Sequence, residues 1–80
     1  ALFDVLANDT RLRLIHAIAR QNEACVNDLA EALEMKPQAV SNQLQRLLDQ
    51  GIVATRRQGN YVFYRIVDRC VMILLEHGLC

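Results

Sequence analysis

The sequence has few of the residues that mark several large protein classes: no tryptophan, one proline, three glycines and three cysteines among 80 residues. No segment reaches the roughly 18 to 20 consecutive apolar residues that a membrane-spanning helix needs. The basic start, apolar middle and small-residue cleavage site of a signal peptide are also absent. Three cysteines are too few, and uneven in number, for a secreted disulfide framework. We therefore expect a protein of the reducing cytoplasm with free or metal-bound thiols.

Net charge is absent as well, since nine basic residues balance nine acidic ones. The charges are unevenly distributed along the chain. Residues 36–65 hold five basic residues and one acidic residue, whereas residues 1–35 hold three arginines and six acids. A cationic segment inside a neutral chain is typical of a surface that contacts nucleic acid.

The groupings of side chains that enzymes require are also absent. The sequence shows no nucleophile with a base and an orienting partner, no glycine-rich phosphate loop and no paired carboxylates in a plausible cleft. We expect one domain, 1–80, at the small end of what folds alone. The apolar run 71–75 favours a second subunit, because five consecutive helical residues cannot all face one small core.

Apolar spacing predicts helices in the first half of the chain. Residues 2–7 are typical of the end of a helix. Cap-type residues at 8–10 begin a second helix, which extends to about Arg20. A third, short helix follows, capped by Asn27 or a neighbour, and its apolar stripe is formed by Leu29, Ala30 and Leu33.

A three-residue turn at 34–36 separates this helix from a fourth. Pro37 suits the first helical position, where its missing amide costs nothing, and Gly51 suits the C-terminal end. We expect the inward-facing side of this helix to comprise Val40, Leu44, Leu47 and Leu48.

The hydrophobic period then changes to that of β-structure. Two β-prone runs, 52–57 and 61–67, flank a short turn at 58–60 and predict a hairpin. Asp68 caps a final helix that reaches Leu75 or beyond. The predicted order is α-α-α-α-β-β-α, a mainly α fold with one hairpin.

Two short helices joined by a three-residue turn and followed by a hairpin form a winged helix-turn-helix. Small and amide side chains near the start of the second of these helices approach base edges closely. Arg46 is expected to contact phosphate, and the hairpin tip to contact the backbone or the minor groove. The candidate DNA-contacting residues are Gln38, Ser41, Asn42, Gln45 and Arg46 on the helix and Arg56, Arg57, Gln58 and Asn60 on the hairpin.

A solvated polar face without function remains the alternative for each of these residues taken singly. Helix-turn-helix patterns also occur in protein-interaction modules. The aromatic residues Tyr61, Phe63 and Tyr64 are expected to pack in the sheet and core rather than stack on bases.

Five segments together resemble the ArsR/SmtB metalloregulators, and they cover nearly the whole chain. They are 6–15, like "LA-D-x-TRL-x-IL"; 28–33, like the helix before the turn; 40–47, like "VS-x-HL-x-x-L"; and 51–53 with 56–64, like "GLV" and the "RR-x-G-x-x-x-YY" wing. The resemblance implies a homodimeric repressor, joined through its first and last helices, that releases operator DNA when an inducer binds. One departure is Lys36, where the family often has Ser; lysine cannot cap by accepting a hydrogen bond, and we expect it to contact phosphate.

The two metal sites that the resemblance implies are both incomplete in this sequence. A "C-V-C-D-L" segment is represented by Cys25 with Asn27 in place of the second cysteine. The last helix offers Asp68 and Cys70, then His77 and Cys80, with six residues between Cys70 and His77 where the family usually has ten. The candidate ligands are Cys25, Cys70, Cys80, His77 and Asp68.

Three thiols suggest a soft or borderline ion: Zn, Cd, Pb, Hg, Cu(I) or As(III). Cys70 is equally explained as a small core residue. His16 is expected to be a packed or surface helix residue. His77 is expected to be either a plain surface residue or a metal ligand. A second hypothesis is a sensor of redox state or sulfur species, in which two cysteines form a disulfide or persulfide bridge. A third is a winged-helix protein-interaction module that does not bind DNA.

Overall fold

The computed structural model describes residues 9–76, which form four helices and one β-hairpin. The predicted first helix, at 2–7, lies outside the described residues, as do His77 and Cys80. Among the described residues, no helix has the length and apolar character to cross a membrane. The elements are α1 (Asp9–Gln21), α2 (Val26–Leu33), α3 (Pro37–Asp49), β1 (Val53–Gln58), β2 (Tyr61–Ile66) and α4 (Arg69–Glu76).

The core lies where α1, α2 and α3 meet the base of the hairpin. Each helix contributes apolar residues three or four positions apart, as Val40, Leu44 and Leu47 do on α3. Val71 of α4 closes the cluster. The largest fully buried side chains are Leu14, Ile15, Ile18, Leu29, Val40, Leu44, Leu47 and Val71.

The residues predicted to begin and to end α3 are confirmed at both ends of the helix. Pro37 begins the helix after a turn of three residues. At the other end Gly51 has φ +73°; its amide donates to the Leu48 carbonyl at 3.0 Å, and the Ile52 amide donates to the Leu47 carbonyl at 3.0 Å. This pair of bonds is a Schellman motif, which turns the chain out of the helix and into β1.

Helix capping differs between α2 and α4. Asp68 caps α4 as predicted, because its Oδ1 accepts the Val71 amide at 3.0 Å. For α2 we predicted Asn27 or a neighbour as the cap. The N-cap is Cys25, two residues before Asn27; it makes no side-chain capping bond, and Asn27 lies within the first turn. An apolar pattern defines where a helix lies better than where it begins.

The first strand of the hairpin has the predicted length but lies one residue later, at 53–58 instead of 52–57, and its last residue, Gln58, pairs with Tyr61. The turn therefore consists of Gly59 and Asn60, and Gly59 has φ +61°, which suits the first position of a two-residue turn. The α1–α2 loop joins the sheet through Ala24, whose amide and carbonyl both bond to Tyr64, at 3.0 and 2.8 Å.

We predict that Gly51→Ala lowers the free energy of unfolding by about 1 to 2 kcal/mol, because an L side chain is disfavoured at positive φ. A Cβ at this position would meet nothing within 4 Å, so the cost is one of backbone conformation and not of collision. Urea unfolding at fixed protein concentration measures it. Gln50→Ala, at a neighbouring residue with right-handed φ and ψ, is the control; equal stability of both variants would contradict the prediction.

Candidate nucleic-acid interface and thiol sites

The polar face of α3, formed by Gln38, Ser41, Asn42, Gln45 and Arg46, points away from the core. Four of these side chains are exposed and Ser41 is half-buried. Gln38 Nε2 donates to Asn42 Oδ1 at 3.0 Å, which arranges two amides side by side near the start of the helix. Gln45 Nε2 donates to Asp49 Oδ1 at 3.1 Å. The face therefore presents both donors and acceptors, as reading of base edges requires.

A contact between α1 and α3 supports one flank of this face. Arg11 Nε donates to Gln43 Oε1 at 3.0 Å, across 32 residues of sequence. No local pattern predicts this bond, because only the packing of α1 against the other helices brings the two side chains together.

The structure separates the two adjacent arginines of β1, since neighbouring strand residues point to opposite faces. Arg57 is exposed and makes no side-chain hydrogen bond or ion pair within residues 9–76. Arg56 is paired with Glu23: Nε donates to Oε2 at 3.0 Å and Nη2 donates to Oε1 at 2.8 Å. The other predicted hairpin contacts, Gln58 and Asn60, are both exposed.

Arg56 is held on three sides. Besides Glu23, its Nη1 donates to Gln58 Oε1 at 2.8 Å, and its guanidinium carbon lies 5.0 Å from the centre of the Phe63 ring. A bidentate pair with a stacked guanidinium is a specific geometry that lysine could not reproduce. Arg56 is therefore engaged in contacts within the protein, unlike its neighbour Arg57 among the described residues.

The contact with Arg56 changes the pKa of Glu23. The hydrogen bond from Arg56 holds the pKa of Glu23 below its ordinary value, and the charges of Arg56 and Arg65 act in the same direction. The pKa of Arg56 is raised in turn, chiefly by its hydrogen bond to Glu23. No local pattern in the sequence points to Glu23, because its partner lies 33 residues away.

Tyr61 corrects one prediction about the aromatic residues. It stands at the start of β2 with 61% of its surface exposed, although we expected it to pack; Phe63 and Tyr64 are half-buried as expected. The Tyr61 ring lies 6.3 Å from that of Phe63. It also borders a small cleft beneath the hairpin tip, lined by Cys25, Val26, Asn27, Asn60, Tyr61 and Val62.

The candidate thiol ligands are placed on different elements. Cys25 is half-buried at the start of α2, and Cys70 is exposed in the first turn of α4, so Cys70 is not a core residue. Asp68 uses one carboxylate oxygen to cap α4. Within residues 9–76, no three His, Cys, Asp or Glu side chains come together as a metal site would require. His77 and Cys80 lie outside the described residues.

α4 leaves part of its apolar surface uncovered within the described chain. Val71 is buried, whereas Ile73 and Met72 are 50% and 38% exposed. This confirms that the run 71–75 does not all face the core of its own chain. His16, half-buried on α1, belongs to neither surface.

Comparison with known families gives a match to "Bacterial regulatory protein, arsR family" over residues 8–55. The crystal structure of the AntR antimony-specific transcriptional repressor is 66% identical to the chain. It superimposes with a TM-score of 0.87, and the match covers 99% of this chain and 71% of that one.

Two further proteins, from Synechocystis and Mycobacterium bovis, are also similar to the chain. A transcriptional repressor SmtB homolog of Synechocystis is 49% identical over 90% of the chain, which spans 54% of that relative's length. The homodimeric winged helix-turn-helix DNA-binding domain Mb0332 of Mycobacterium bovis is 34% identical. Its TM-score is 0.82, with 95% of this chain and 69% of that one covered. Other curated relatives are named as arsenic and cadmium resistance regulators, and none of the proteins named here is an enzyme.

We predict that Arg56→Gln raises the pKa of Glu23 toward its ordinary value, as followed by an NMR titration of the side-chain carboxyl. Because the folded-state pKa is lowered, the pair stabilises the folded protein above the ordinary pKa. That contribution is lost as the pH falls through the lowered value. Arg65→Gln is the control and should raise the pKa less, since Arg65 acts through charge alone. Equal shifts in the two variants would contradict the assignment.

Proposed function

The chain belongs to the arsR family of bacterial regulatory proteins, and we propose that it is a cytoplasmic, dimeric repressor that a thiophilic ion releases from operator DNA. One observation carries the proposal: the exposed polar face of α3 stands beside a hairpin that presents Arg57, an arginine with no partner among residues 9–76. A helix in the major groove needs such a face, and a wing needs a cation for phosphate.

The proposed DNA contacts fall into two groups according to the chemistry of their side chains. Amide and hydroxyl groups near the start of α3 read base edges, because they can donate and accept at once. Charged groups at its flanks contact phosphate. The base-reading residues are Gln38, Ser41, Asn42 and Gln45; the phosphate-contacting residues are Lys36, Arg46 and Arg57; Gln58 and Asn60 lie at the wing tip.

The dimer forms through the last helix, together with the predicted first helix. Met72 and Ile73 supply the exposed apolar surface for this contact. Mb0332, a homodimeric domain of the same fold, supports this assembly. Two protomers then place two copies of α3 on successive turns of one DNA face, as helix-turn-helix dimers do.

We propose that the inducer is a trivalent metalloid of the antimony and arsenic kind, recognised through thiolates. Identity of 66% to an antimony-specific repressor supports this choice within the wider set of soft ions. Cys25 is accessible at the α2 terminus beside the hairpin cleft, and thiolates are the ligands that soft ions prefer. The described residues of one chain do not complete a site. We propose that the remaining donors come from Cys70, Cys80, His77 or the partner subunit.

We predict that DNA affinity falls steeply with salt and that Arg57→Gln lowers the slope of log K against log salt by about 1, the loss of one phosphate contact. Fluorescence anisotropy with a fragment enriched from random DNA measures both. Arg20→Gln removes the same charge from the end of α1 and should leave the slope unchanged. A parent protein with no affinity for DNA, or with affinity independent of salt, would favour the protein-interaction module instead.

We predict that antimonite or arsenite releases the bound fragment and that Cys25→Ser raises the required concentration at least about tenfold, since loss of even an outer-shell partner of a metal ligand costs about 10- to 100-fold in affinity. DNA affinity without inducer should stay near that of the parent. Cys70→Ser tests the exposed thiol in the same assay. Release by a mild oxidant, but by none of antimonite, arsenite, Zn, Cd, Pb, Hg or Cu(I), would establish the redox alternative.

A further inference from the structure

Two consecutive residues of the α1–α2 loop attach the hairpin to the helical body, and the next residue lies beside it. Glu23 pairs with Arg56, Ala24 exchanges two backbone hydrogen bonds with Tyr64, and Cys25 borders the hairpin cleft. The backbone bonds fix the loop at the middle of β2. The Glu23–Arg56 pair acts on the neighbouring strand, so it opposes rotation of the hairpin about that point.

The geometry of the Glu23–Arg56 pair is better suited to orienting the hairpin than to stabilising the fold. Its side chains are 31% and 46% exposed, and pairs so accessible to water add little to the stability of a fold. Its geometry, however, is restrictive: two parallel bonds to one carboxylate and contact with the Phe63 ring hold the guanidinium in one plane.

Arg56 has few donors left for another partner. A guanidinium carries five N–H groups, and three of its nitrogens already donate to Glu23 and Gln58. Its neighbour Arg57 points to the opposite face and makes no such bonds among the described residues. The two arginines are equivalent in the sequence pattern, but their hydrogen-bonding surroundings in the structure differ.

We infer that Glu23 and Arg56 are positioning residues for DNA binding: their pair sets the hairpin so that Arg57 reaches phosphate, and neither side chain contacts DNA itself. The inference rests on the proposed function. It reverses the expectation from charge alone, because removal of an acidic group beside a cationic hairpin should strengthen binding to a polyanion. Loss of the pair should instead weaken binding.

The test is the affinity of Glu23→Gln for the selected DNA fragment at fixed salt. We expect binding about fivefold weaker than the parent's, within the range of coupling between contacting residues. Glu31→Gln is the matched control: it removes the same charge from an exposed position on α2 that has no side-chain partner within residues 9–76, and should bind equally well or slightly better. Glu23→Gln that binds as tightly as Glu31→Gln would overturn the inference.

A charge exchange separates positioning by Arg56 from direct contact. Arg56→Glu alone should bind poorly, and the double variant Glu23→Arg, Arg56→Glu should recover most of the loss, because it restores a pair of the same net charge. If the double variant binds no better than Arg56→Glu, Arg56 contacts DNA itself and the inference is wrong.

A measurement without DNA keeps the inference testable if the proposed function fails. Backbone ¹⁵N order parameters of residues 57–62 should fall in Glu23→Gln and stay at the parent's values in Glu31→Gln. Protected amides at Ala24 and Tyr64 would show that the fold is intact. A parent that binds no DNA refutes the proposed function; unchanged order parameters in Glu23→Gln refute the positioning role.

Discussion

Burial of the apolar stripe of α3 is the interaction on which the rest of the molecule depends. Val40, Leu44 and Leu47 are fully buried against the other helices and the base of the hairpin. Because these residues recur at helical spacing, their burial fixes the rotation of α3 about its own axis. The opposite side of the helix can then face only outward, which makes the amide-rich surface available to a partner.

The hairpin is placed by a second, more polar set of contacts. The Schellman motif at Gly51 directs the chain from α3 into β1, and Ile52 and Val53 are buried beneath it. Toward the far end of the hairpin, apolar burial is weaker: the β1 residues from Thr55 onward are exposed, and Val62 and Phe63 of β2 are only half-buried. Its orientation rests on the α1–α2 loop, through hydrogen bonds and one ion pair. A contact of this kind can be altered at little cost to the core.

The same loop leads directly into Cys25, so the accessible thiol of α2 and the support of the hairpin lie within three residues of each other. This proximity exists within one chain and does not require a second subunit. The ligand set around the thiol is not complete within the described residues of one chain. In a dimer, a second subunit can supply donors, and ligand binding is then coupled to the arrangement of the two protomers.

The sequence by itself determined the features whose causes are local. Helical spacing, Pro37 at a helix start, Gly51 at a helix end and Asp68 as a cap act within a few residues, and all were predicted. The exposure of Tyr61 and Cys70, the bond from Arg11 to Gln43 and the partner of Arg56 were not. Each depends on which surfaces meet when the helices pack, as with Glu23 and Arg56, 33 residues apart. Local pattern carries no information on such pairs, so only the tertiary structure decided that one of two adjacent arginines supports the hairpin and the other faces solvent.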